Sequence, residues 1–337
     1  MTATTTPDEV DDLLFVWDFD WTVVNCNSDE YVPAQFHNDL TILNEEFRRR
    51  FVEETNCQDW QASVQGLIQD LLAQGRAAPE AIEQACRQMP YLVNVQETLR
   101  RIHQEQQQQH ESTNQQRRIR QMILSDGNSL FIQSFLNRHN MQHYFERVVT
   151  NQAQWVVNDD DDTEPSTPQF RIIHQSQEYN GEEWSSPENC LSNLCKTQAL
   201  QKTLESVVGE GGEGMQQQRP TRIVYIGDGH NDACPVLHVL QSNDVLLART
   251  GRKNTDRANR QQGGQDDDDD DDEVVEGNDG PEKGSPFGIL PALQKAERRS
   301  KNPCVPTCSV REWRTGGELR RHVEAILGQG AVETKKS

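Results

Sequence analysis

The 337-residue sequence has few basic residues, no long apolar segment and no regular cysteine pattern. Its 33 basic side chains face 54 acidic ones, so no basic surface could follow a phosphate backbone, which argues against nucleic-acid binding. No apolar run approaches the roughly 20 residues that a helix needs to span a bilayer. The first residues lack the basic and apolar regions of a secretory signal. We therefore expect a cytoplasmic protein without a membrane or nucleic-acid partner.

The eight cysteines are scattered along the chain, unlike the disulfide framework of a small secreted domain. Two neighbouring pairs, Cys190 with Cys195 and Cys304 with Cys308, suggest a metal site that would include His174. Their spacing departs from the two-residue gap typical of such sites, which favours buried or unused thiols. Both interpretations stay open at this point.

The acidic excess is confined to two segments. Of the formal net charge of −21, residues 266–282 contribute eleven acids and residues 158–164 contribute five, with no base in either segment. About −5 remains for the rest of the chain, which is ordinary for a folded domain. The aspartate run at 266–272 suggests a Ca²⁺-binding module, but a flexible run of like charges is typically a solvated loop.

Four polar stretches have too few apolar residues to offset the entropy lost on ordering. They are predicted to be disordered, flexible inserts at residues 104–116, 152–189, 209–219 and 254–286. The remaining sequence suffices for one α/β domain with an additional cap. We predict a core formed by residues 13–30 and 90–327 and a helical cap at residues 31–89.

Short apolar runs alternate with helical patterns along the rest of the chain. Five runs are predicted as buried strands, at residues 13–17, 119–124, 147–149, 222–226 and 244–248. Between the first two, apolar residues recur with helical spacing, as in residues 64–72. This alternation predicts an α/β fold with a Rossmann-like parallel sheet, whose functional site lies at the carboxyl ends of the strands.

Two aspartate clusters directly follow two of the predicted strands. Asp18 and Asp20 come after the first strand, and their alternation points both side chains toward the same side. Asp228 follows the fourth strand, between two glycines that permit a sharp turn. Adjacent carboxylates repel unless a shared proton or a cation compensates them, and Mg²⁺ prefers oxygen ligands. Such aspartates can instead cap helices, but two clusters at separate strand ends favour a Mg²⁺ and phosphate site.

Four motifs occur in the order found in the haloacid-dehalogenase superfamily of phosphotransferases, which this chain resembles. They are Asp18-Phe19-Asp20-Trp21-Thr22, the strand Met122-Ile123-Leu124 ending in Ser125, Lys196, and Gly227-Asp228-Gly229-His230-Asn231-Asp232. Further stretches resemble the phosphoethanolamine/phosphocholine phosphatase family and its pyridoxal-phosphate phosphatase-like relatives: Asn27-Ser28-Asp29, Leu124-Ser125-Asp126-Gly127-Asn128, Asn193-Leu194-Cys195-Lys196 and Tyr225-Ile226-Gly227-Asp228-Gly229-His230-Asn231-Asp232. The resemblance runs from about residue 13 to 327, apart from the inserts. Trp21 departs from it, because that slot is usually small, charged or aliphatic.

The resemblance implies a Mg²⁺-dependent phosphatase with a helical cap inserted between the first and second core strands. Asp18 would be the nucleophile that forms an aspartyl-phosphate, and Asp20 would be the general acid and base. The metal ligands would be a side-chain oxygen of Asp18, the backbone carbonyl of Asp20 and the carboxylate of Asp228. Asp232 would support these ligands or pair with the lysine.

The resemblance also implies which residues bind the substrate, a small phosphomonoester. Ser125 would hydrogen-bond the phosphoryl oxygens, and Lys196 would place a positive charge on them. Asp29 and Asp126 match substrate-contacting positions, and carboxylates there would favour an ammonium group at the far end of the substrate. Alternatively, Asp29 caps the first cap helix and Asp126 binds loop amides. We expect a phosphoethanolamine- or phosphocholine-like substrate, with pyridoxal phosphate as the alternative.

A second hypothesis from a different class is a non-catalytic interaction protein that uses the same scaffold. Its polar inserts would then recruit partners. All four motifs are intact, which argues against this hypothesis, because adjacent buried acids cost stability and a silent scaffold has no use for them.

Overall fold

The computed structural model describes residues 11–54, 59–111, 117–156, 168–174, 194–209, 219–251, 287–298 and 305–333. Within these ranges the strands are β1 Asp11–Trp17, β2 Arg117–Asn128, β3 Arg147–Val156, β4 Gln169–Ile173, β5 Arg222–Gly227, β6 Val245–Arg249 and β7 Ser309–Trp313. They form a seven-stranded sheet in the order β4-β3-β2-β1-β5-β6-β7. Every neighbouring pair is parallel except β3 and β4. The predicted parallel sheet is therefore confirmed.

Helices flank the sheet on both faces. They are α1 Ser28–Ala34, α2 Leu40–Arg49, α3 Trp60–Ala73, α4 Pro79–Arg87, α5 Val93–Glu111, α6 Ser129–Arg138, α7 Lys196–Gly209, α8 Ala233–His238, α9 Ile289–Glu297 and α10 Gly316–Glu333. Among the described residues, none of these helices has the length and apolar character needed to cross a membrane. The predicted α/β class is confirmed.

Strand β1 shows why the sheet is buried on both faces. Leu13, Phe15 and Trp17 pack into one hydrophobic layer with α5, α6 and α10. Leu14 and Val16 pack into the other layer, with α7, α8 and α9. Successive side chains of a strand point to opposite faces, so burial on both sides requires a continuous apolar run. This explains the unbroken apolar pattern that identified the strand in the sequence.

Helices α1 to α4 lie between β1 and β2, where the sequence predicts the cap. Asp39 and Asp59 cap α2 and α3, and Pro79 begins α4. The apolar faces of these helices join the same layer as α5 and α6, through side chains such as Phe47 and Ile68. The boundaries of the cap at residues 31–89 stay a prediction.

The hairpin of β3 and β4 differs from the expectation for residues 152–189. Residues 152–156 continue β3, and β4 pairs with them in antiparallel register. Phe170 and Ile172 are buried and alternate with more exposed residues. The ring centroids of Trp155 and Phe170 are 5.2 Å apart. This alternation extends over only five residues between polar segments, which is too short to stand out in the sequence.

The other expected inserts fall largely outside the described residues. Residues 104–111, although rich in glutamine, form the last turns of α5. The described ranges do not include residues 112–116, 157–167, 175–189, 210–218 and 254–286. The predicted Ca²⁺-binding aspartate run also lies outside them.

Candidate active site

The carboxyl ends of β1, β2 and β5 bring the predicted site residues together. Strand β1 pairs with β2 on one side and with β5 on the other, so the residues that follow these strands meet at one edge of the sheet. Asp18 follows β1, and its backbone N–H donates to the carbonyl of Ile226 at 2.9 Å. Ser125 lies near the end of β2 and Asp228 follows β5. All three predicted side chains are buried.

Lys196 lies among the aspartates at the start of α7. Its Nζ is 2.8 Å from Asp18 Oδ1, 2.7 Å from Asp232 Oδ1 and 3.9 Å from Asp126 Oδ1. Burial disfavours the charged amine, but these three carboxylates outweigh that effect and raise the pKa of Lys196 above its ordinary value. The lysine is therefore a permanent positive charge beside Asp18.

Asp232 uses both carboxylate oxygens to organise the site. Its Oδ1 accepts hydrogen bonds from Lys196 Nζ and, at 2.7 Å, from the hydroxyl of Tyr225. Its Oδ2 accepts from the backbone N–H groups of Asp228 at 3.1 Å and Gly229 at 2.9 Å. Burial raises the pKa of Asp232, but the lysine and the other donors overcome this effect and hold it below its usual range. Asp232 thus connects the lysine to the loop that carries Asp228.

Three buried aspartates could hold a divalent cation. One carboxylate oxygen each of Asp18, Asp228 and Asp232 lies within 4.8 Å of the other two. Burial, reinforced by the negative charges of Asp232 and Asp228 and opposed by Lys196, raises the pKa of Asp18 well above its ordinary value. A positive ion relieves such repulsion, and a buried set of carboxylate oxygens suits Mg²⁺. The donor set therefore fits the predicted metal.

Asp20 is half-buried next to this cluster and turns its carboxylate toward α1. Its Oδ1 accepts a hydrogen bond from the backbone N–H of Ser28 at 3.0 Å. Desolvation raises the pKa of Asp20 to about 7, with smaller contributions from Asp126 and Asp228, while the hydrogen bonds from Ser28 oppose the shift. Asp20 can therefore gain or lose a proton near neutral pH.

Asp29 lies in the first turn of α1 without capping it. Asn27 is the capping residue, and its side chain accepts a hydrogen bond from the backbone N–H of Asp29 at 3.0 Å. The capping alternative for Asp29 is therefore wrong. Two residues of α3 hold Asp29 Oδ2 instead: Trp60 Nε1 donates at 2.9 Å and Gln61 Nε2 at 2.8 Å. Asp29 is thus a buried contact between helices α1 and α3.

The last residues of β2, which follow Ser125, are held from two sides. The backbone carbonyl of Asp126 accepts from Gln61 Nε2 at 3.0 Å and from Asn151 Nδ2 at 2.8 Å. The hydroxyl of Ser125 accepts from the backbone N–H of Gly127 at 3.2 Å. This end of β2 is therefore positioned by both helix α3 and strand β3.

The sequence analysis gave no site role to Tyr225, Gln61 or Asn151, although Tyr225 begins one of the stretches that carry the resemblance. Tyr225 is a polar residue within the apolar run of β5, and such a residue can indicate a side chain that contacts a site. Gln61 and Asn151 carry no such signal, because amides are common on helices and at strand ends. Their contacts depend on tertiary packing alone.

The suggested cysteine and histidine site has a different arrangement in the described residues. His174 Nε2 lies 3.3 Å from Asp59 Oδ1. Cys195 and Cys308 are buried, while Cys190 and Cys304 lie outside the described ranges. The described part of the chain therefore does not join His174 to these thiols in a metal-ligand cluster.

Comparison with known proteins shows that this chain is similar to phosphatases. The family described as Putative Phosphatase matches residues 13–266, which is more than half of the chain. Pyridoxal phosphate phosphatase PHOSPHO2 of Bos taurus is 29% identical over 242 residues, which cover 71% of this chain and 83% of that protein. Inorganic pyrophosphatase 2 of Arabidopsis thaliana is 22% identical over 317 residues, which cover 94% of this chain and 84% of that protein.

Among solved structures, a phospho-aspartyl intermediate analogue of phosphoserine phosphatase is 14% identical. It matches with a TM-score of 0.42 over 71% of this chain and 87% of its own. The family match includes the aspartate motifs at the ends of β1 and β5, together with Ser125 and Lys196. This chain belongs to the Putative Phosphatase family and is a phosphatase.

Proposed function

We propose that this phosphatase hydrolyses a small phosphomonoester with the help of Mg²⁺, through an aspartyl-phosphate formed on Asp18. The observation that carries the proposal is the meeting of Asp18, Asp228 and Lys196 in one buried cluster at the carboxyl edge of the sheet. Adjacent buried carboxylates beside a fixed ammonium cost stability, and the binding of a phosphoryl group and a cation accounts for them.

In the first step, Asp18 attacks the phosphorus atom and the bond to the ester oxygen breaks. The backbone N–H of Phe19 and Lys196 Nζ hold Asp18 Oδ1, at 2.7 and 2.8 Å, which supports Oδ2 as the attacking oxygen in this proposal. Asp20 in its protonated form gives a proton to the leaving oxygen. Lys196 and Ser125 stabilise the phosphoryl oxygens, whose charge is otherwise repelled by the attacking carboxylate.

In the second step, a water molecule attacks the phosphorus of the aspartyl-phosphate. Asp20, now a carboxylate, accepts the proton of that water, and inorganic phosphate leaves as Asp18 is regenerated. A pKa of about 7 suits both the acid and the base role of Asp20. A bound Mg²⁺, held by Asp18, Asp228 and the carbonyl of Asp20, would offset the negative charge that gathers at the phosphoryl group.

Helices α1 to α4 form the cap over this site in our proposal, and they supply the substrate contacts. Asp29 is buried and connects through Gln61 to Asp126, which lies beside Lys196. This acidic surrounding supports a phosphoethanolamine- or phosphocholine-like substrate, whose ammonium group would face Asp29. Pyridoxal phosphate is the second candidate, because several relatives are named as pyridoxal phosphate phosphatases.

Replacement of the nucleophile tests the reaction. We expect Asp18→Asn to lower the hydrolysis of p-nitrophenyl phosphate in Mg²⁺ by about 10³-fold or more, because an amide cannot form the intermediate. Excess chelator should abolish the activity of the unmodified chain. Asp39→Asn is the matched control, since Asp39 only caps the exposed start of α2. A near-native rate for Asp18→Asn would contradict the assignment.

Trapping the intermediate separates an enzyme from a silent scaffold. Beryllofluoride with Mg²⁺ should form an adduct on Asp18, which ¹⁹F NMR detects, and Asp18→Asn should not form it. Absence of the adduct on the unmodified chain, together with no turnover, would favour the interaction-protein hypothesis.

A further inference from the structure

Two buried acceptor oxygens lie where helices α1 and α3 meet the end of β2 that follows Ser125. Asp29 Oδ1 and Gln61 Oε1 are shielded from solvent, and neither has a hydrogen-bond partner among the described residues. The residues that carry them are 3% and 0% exposed. The two side chains are in direct contact, because Gln61 Nε2 donates to Asp29 Oδ2 at 2.8 Å. A buried acceptor without a partner is unfavourable, so two in contact point to a ligand that supplies donors.

The orientation of the Gln61 amide follows from its neighbours. Its Nε2 lies 2.8 Å from Asp29 Oδ2 and 3.0 Å from the carbonyl of Asp126, both of which only accept hydrogen bonds. A flipped amide would place Oε1 against these two oxygens. Trp60 Nε1 also donates to Asp29 Oδ2, which leaves Oδ1 as the remaining carboxylate oxygen. The unpartnered atoms are therefore the acceptors Oδ1 and Oε1.

A chain of contacts connects these acceptors to the nucleophile. Gln61 binds the backbone of Asp126, whose carboxylate lies 3.9 Å from Lys196 Nζ. Lys196 in turn lies 2.8 Å from Asp18. Ser28, next to Asp29, donates its backbone N–H to Asp20. These contacts link the two acceptors to the nucleophile through Asp126 and Lys196, and our inference assigns them to the far end of a phosphomonoester bound at Asp18.

We propose that Gln61 is a specificity-determining residue. Together with Asp29, it accepts two hydrogen bonds from the headgroup of the substrate. The site therefore selects a substrate with a primary or secondary ammonium group over one with a quaternary ammonium group. This inference rests on the proposed function. Asp29 alone would attract any cation by its charge. The neutral oxygen of Gln61 offers no such attraction and binds only a group that donates an N–H hydrogen bond. The preference among substrates therefore depends on how many N–H donors the ammonium group carries.

A substrate series with a constant phosphate end tests this inference on the unmodified chain. Phosphoethanolamine carries three N–H donors, and its N-methyl, N,N-dimethyl and trimethyl derivatives carry two, one and none. With two acceptors, we expect kcat/KM to change little at the first methylation. It should then fall about tenfold or more at each of the next two, as one hydrogen bond to a charged donor is lost each time.

The variant Gln61→Met removes the amide and keeps the length and volume of the side chain. With one acceptor left, the fall between the monomethyl and dimethyl substrates should disappear, while the fall to the trimethyl substrate remains. Gln65→Met is the matched control, one turn further along α3, where Oε1 accepts from the backbone N–H of Ile172 at 2.7 Å, away from Asp29. It should change all four rates by the same factor and keep the stepwise pattern.

The outcomes separate this inference from the proposed function. Failure of the unmodified chain to hydrolyse p-nitrophenyl phosphate in Mg²⁺ would refute the function itself. Hydrolysis of that compound with no step in the methylation series, or with a preference for the trimethyl substrate, would overturn only the role of Gln61. If Gln61→Met kept the fall in kcat/KM between the monomethyl and dimethyl substrates, the role of Gln61 would also be overturned. The series on the unmodified chain decides the question even where that variant does not fold.

Discussion

At the scale of single residues, Lys196 determines whether the acidic cluster can exist in a folded chain. Its side chain is buried and contacts both Asp18 and Asp232. Removal of one partner from such a group leaves an uncompensated buried charge, which is more damaging than the loss of the attraction itself. We therefore expect the lysine to be important for stability, in addition to its proposed role in binding the phosphoryl group.

We predict that Lys196→Met lowers turnover at least about 100-fold and reduces the free energy of unfolding by about 3 kcal/mol or more. Without the lysine, the already raised pKa of Asp18 rises further, so the folded state binds protons more readily than the unfolded state. The loss of stability should therefore grow as the pH rises. Urea unfolding between pH 5.5 and 8.5 measures both effects.

Lys295→Met on α9 is the control, because that side chain is exposed. Its effect on the free energy of unfolding should stay within about 0.5 kcal/mol at each pH. A loss in Lys196→Met that shrinks with rising pH would contradict the proposed balance of charges.

The residues that could be predicted from sequence are those whose role follows from their place in a strand. Asp18 and Asp228 directly follow buried apolar runs, and the geometry of a parallel sheet brings such positions together. Gln61 and Asn151 reach the loop carbonyl of Asp126 from distant elements. No local sequence pattern predicts such a contact, because it forms only when the helices have packed against the sheet.

At the scale of elements, the loop after β5 depends on the absence of a side chain at Gly227. A Cβ atom there would lie 2.6 Å from Asp232 Oδ2. The same Oδ2 accepts the backbone N–H groups of Asp228 and Gly229, so a displaced Asp232 would no longer organise the loop. The close approach of the backbone to this carboxylate explains the glycine.

We predict that Gly227→Ala lowers kcat/KM at least about tenfold and the free energy of unfolding by about 1–3 kcal/mol, because Asp232 must move. Gly328→Ala is the matched control, since no atom of the described residues lies within 4 Å of a Cβ atom at that position of α10. It should leave activity unchanged and raise stability by up to about 1 kcal/mol. Equal activity of both variants would show that the approach at Gly227 is unimportant.

The loop after β1 is held by one arginine of β6. Arg249 donates to the backbone carbonyl of Trp21 and, at 2.7 Å, to Asn25 Oδ1. Its guanidinium lies between the rings of Phe287 and Trp313, 4.8 and 5.1 Å from their centroids. Trp21 has a φ of 56°, a left-handed conformation that is unfavourable for a bulky residue and needs such support. This support positions the segment that carries Asp20.

We predict that Arg249→Lys lowers kcat about tenfold and changes KM less than about threefold, because lysine lacks the planar fork that binds two acceptors and stacks on rings. Asp20 would then be less well placed for proton transfer, while the phosphoryl contacts remain. Arg314→Lys, at an exposed position after β7, is the control. A change confined to KM would instead indicate a role in substrate binding.

The elements that sequence reasoning missed are the two edge strands. Both β4 and β7 have five residues, and β7 buries only Trp313 fully. A short strand with one partner needs little apolar surface, so its pattern resembles that of a polar loop. The central strands β1, β2, β5 and β6 are covered on both faces, and their apolar runs were sufficient to predict them.

At the scale of the whole molecule, helix α3 lies beside the edge strand β4. Its side chains form hydrogen bonds with backbone groups of β4 that a further strand would otherwise bind. Gln65 Oε1 accepts from the backbone N–H of Ile172 at 2.7 Å, and Gln69 Nε2 donates to the carbonyl of Phe170 at 2.8 Å. Residues four apart on a helix face the same way, as do the outward groups of residues two apart on an edge strand. Two glutamines therefore satisfy the open edge of the sheet and attach the helical segment to it.

We predict that the double variant Gln65→Met/Gln69→Met loosens this attachment. Each lost hydrogen bond leaves a backbone group of β4 unpaired, so the free energy of unfolding should fall by about 1–3 kcal/mol. Amide hydrogen exchange at Ile172 should become faster, because its N–H no longer has an acceptor. Gln74→Met, at the exposed end of α3, is the control and should leave exchange at Ile172 unchanged.

Turnover in the same double variant shows whether the attachment matters for catalysis. The residues that contact Asp29 lie on the first turn of α3, and those that contact β4 lie one and two turns later, so a shift of the helix would move both sets. Because such a shift does not alter the acceptors themselves, rates on all substrates should change by a common factor. Faster exchange at Ile172 with unchanged rates would mean that the site depends on the first turn alone, and that the contact with β4 serves only stability.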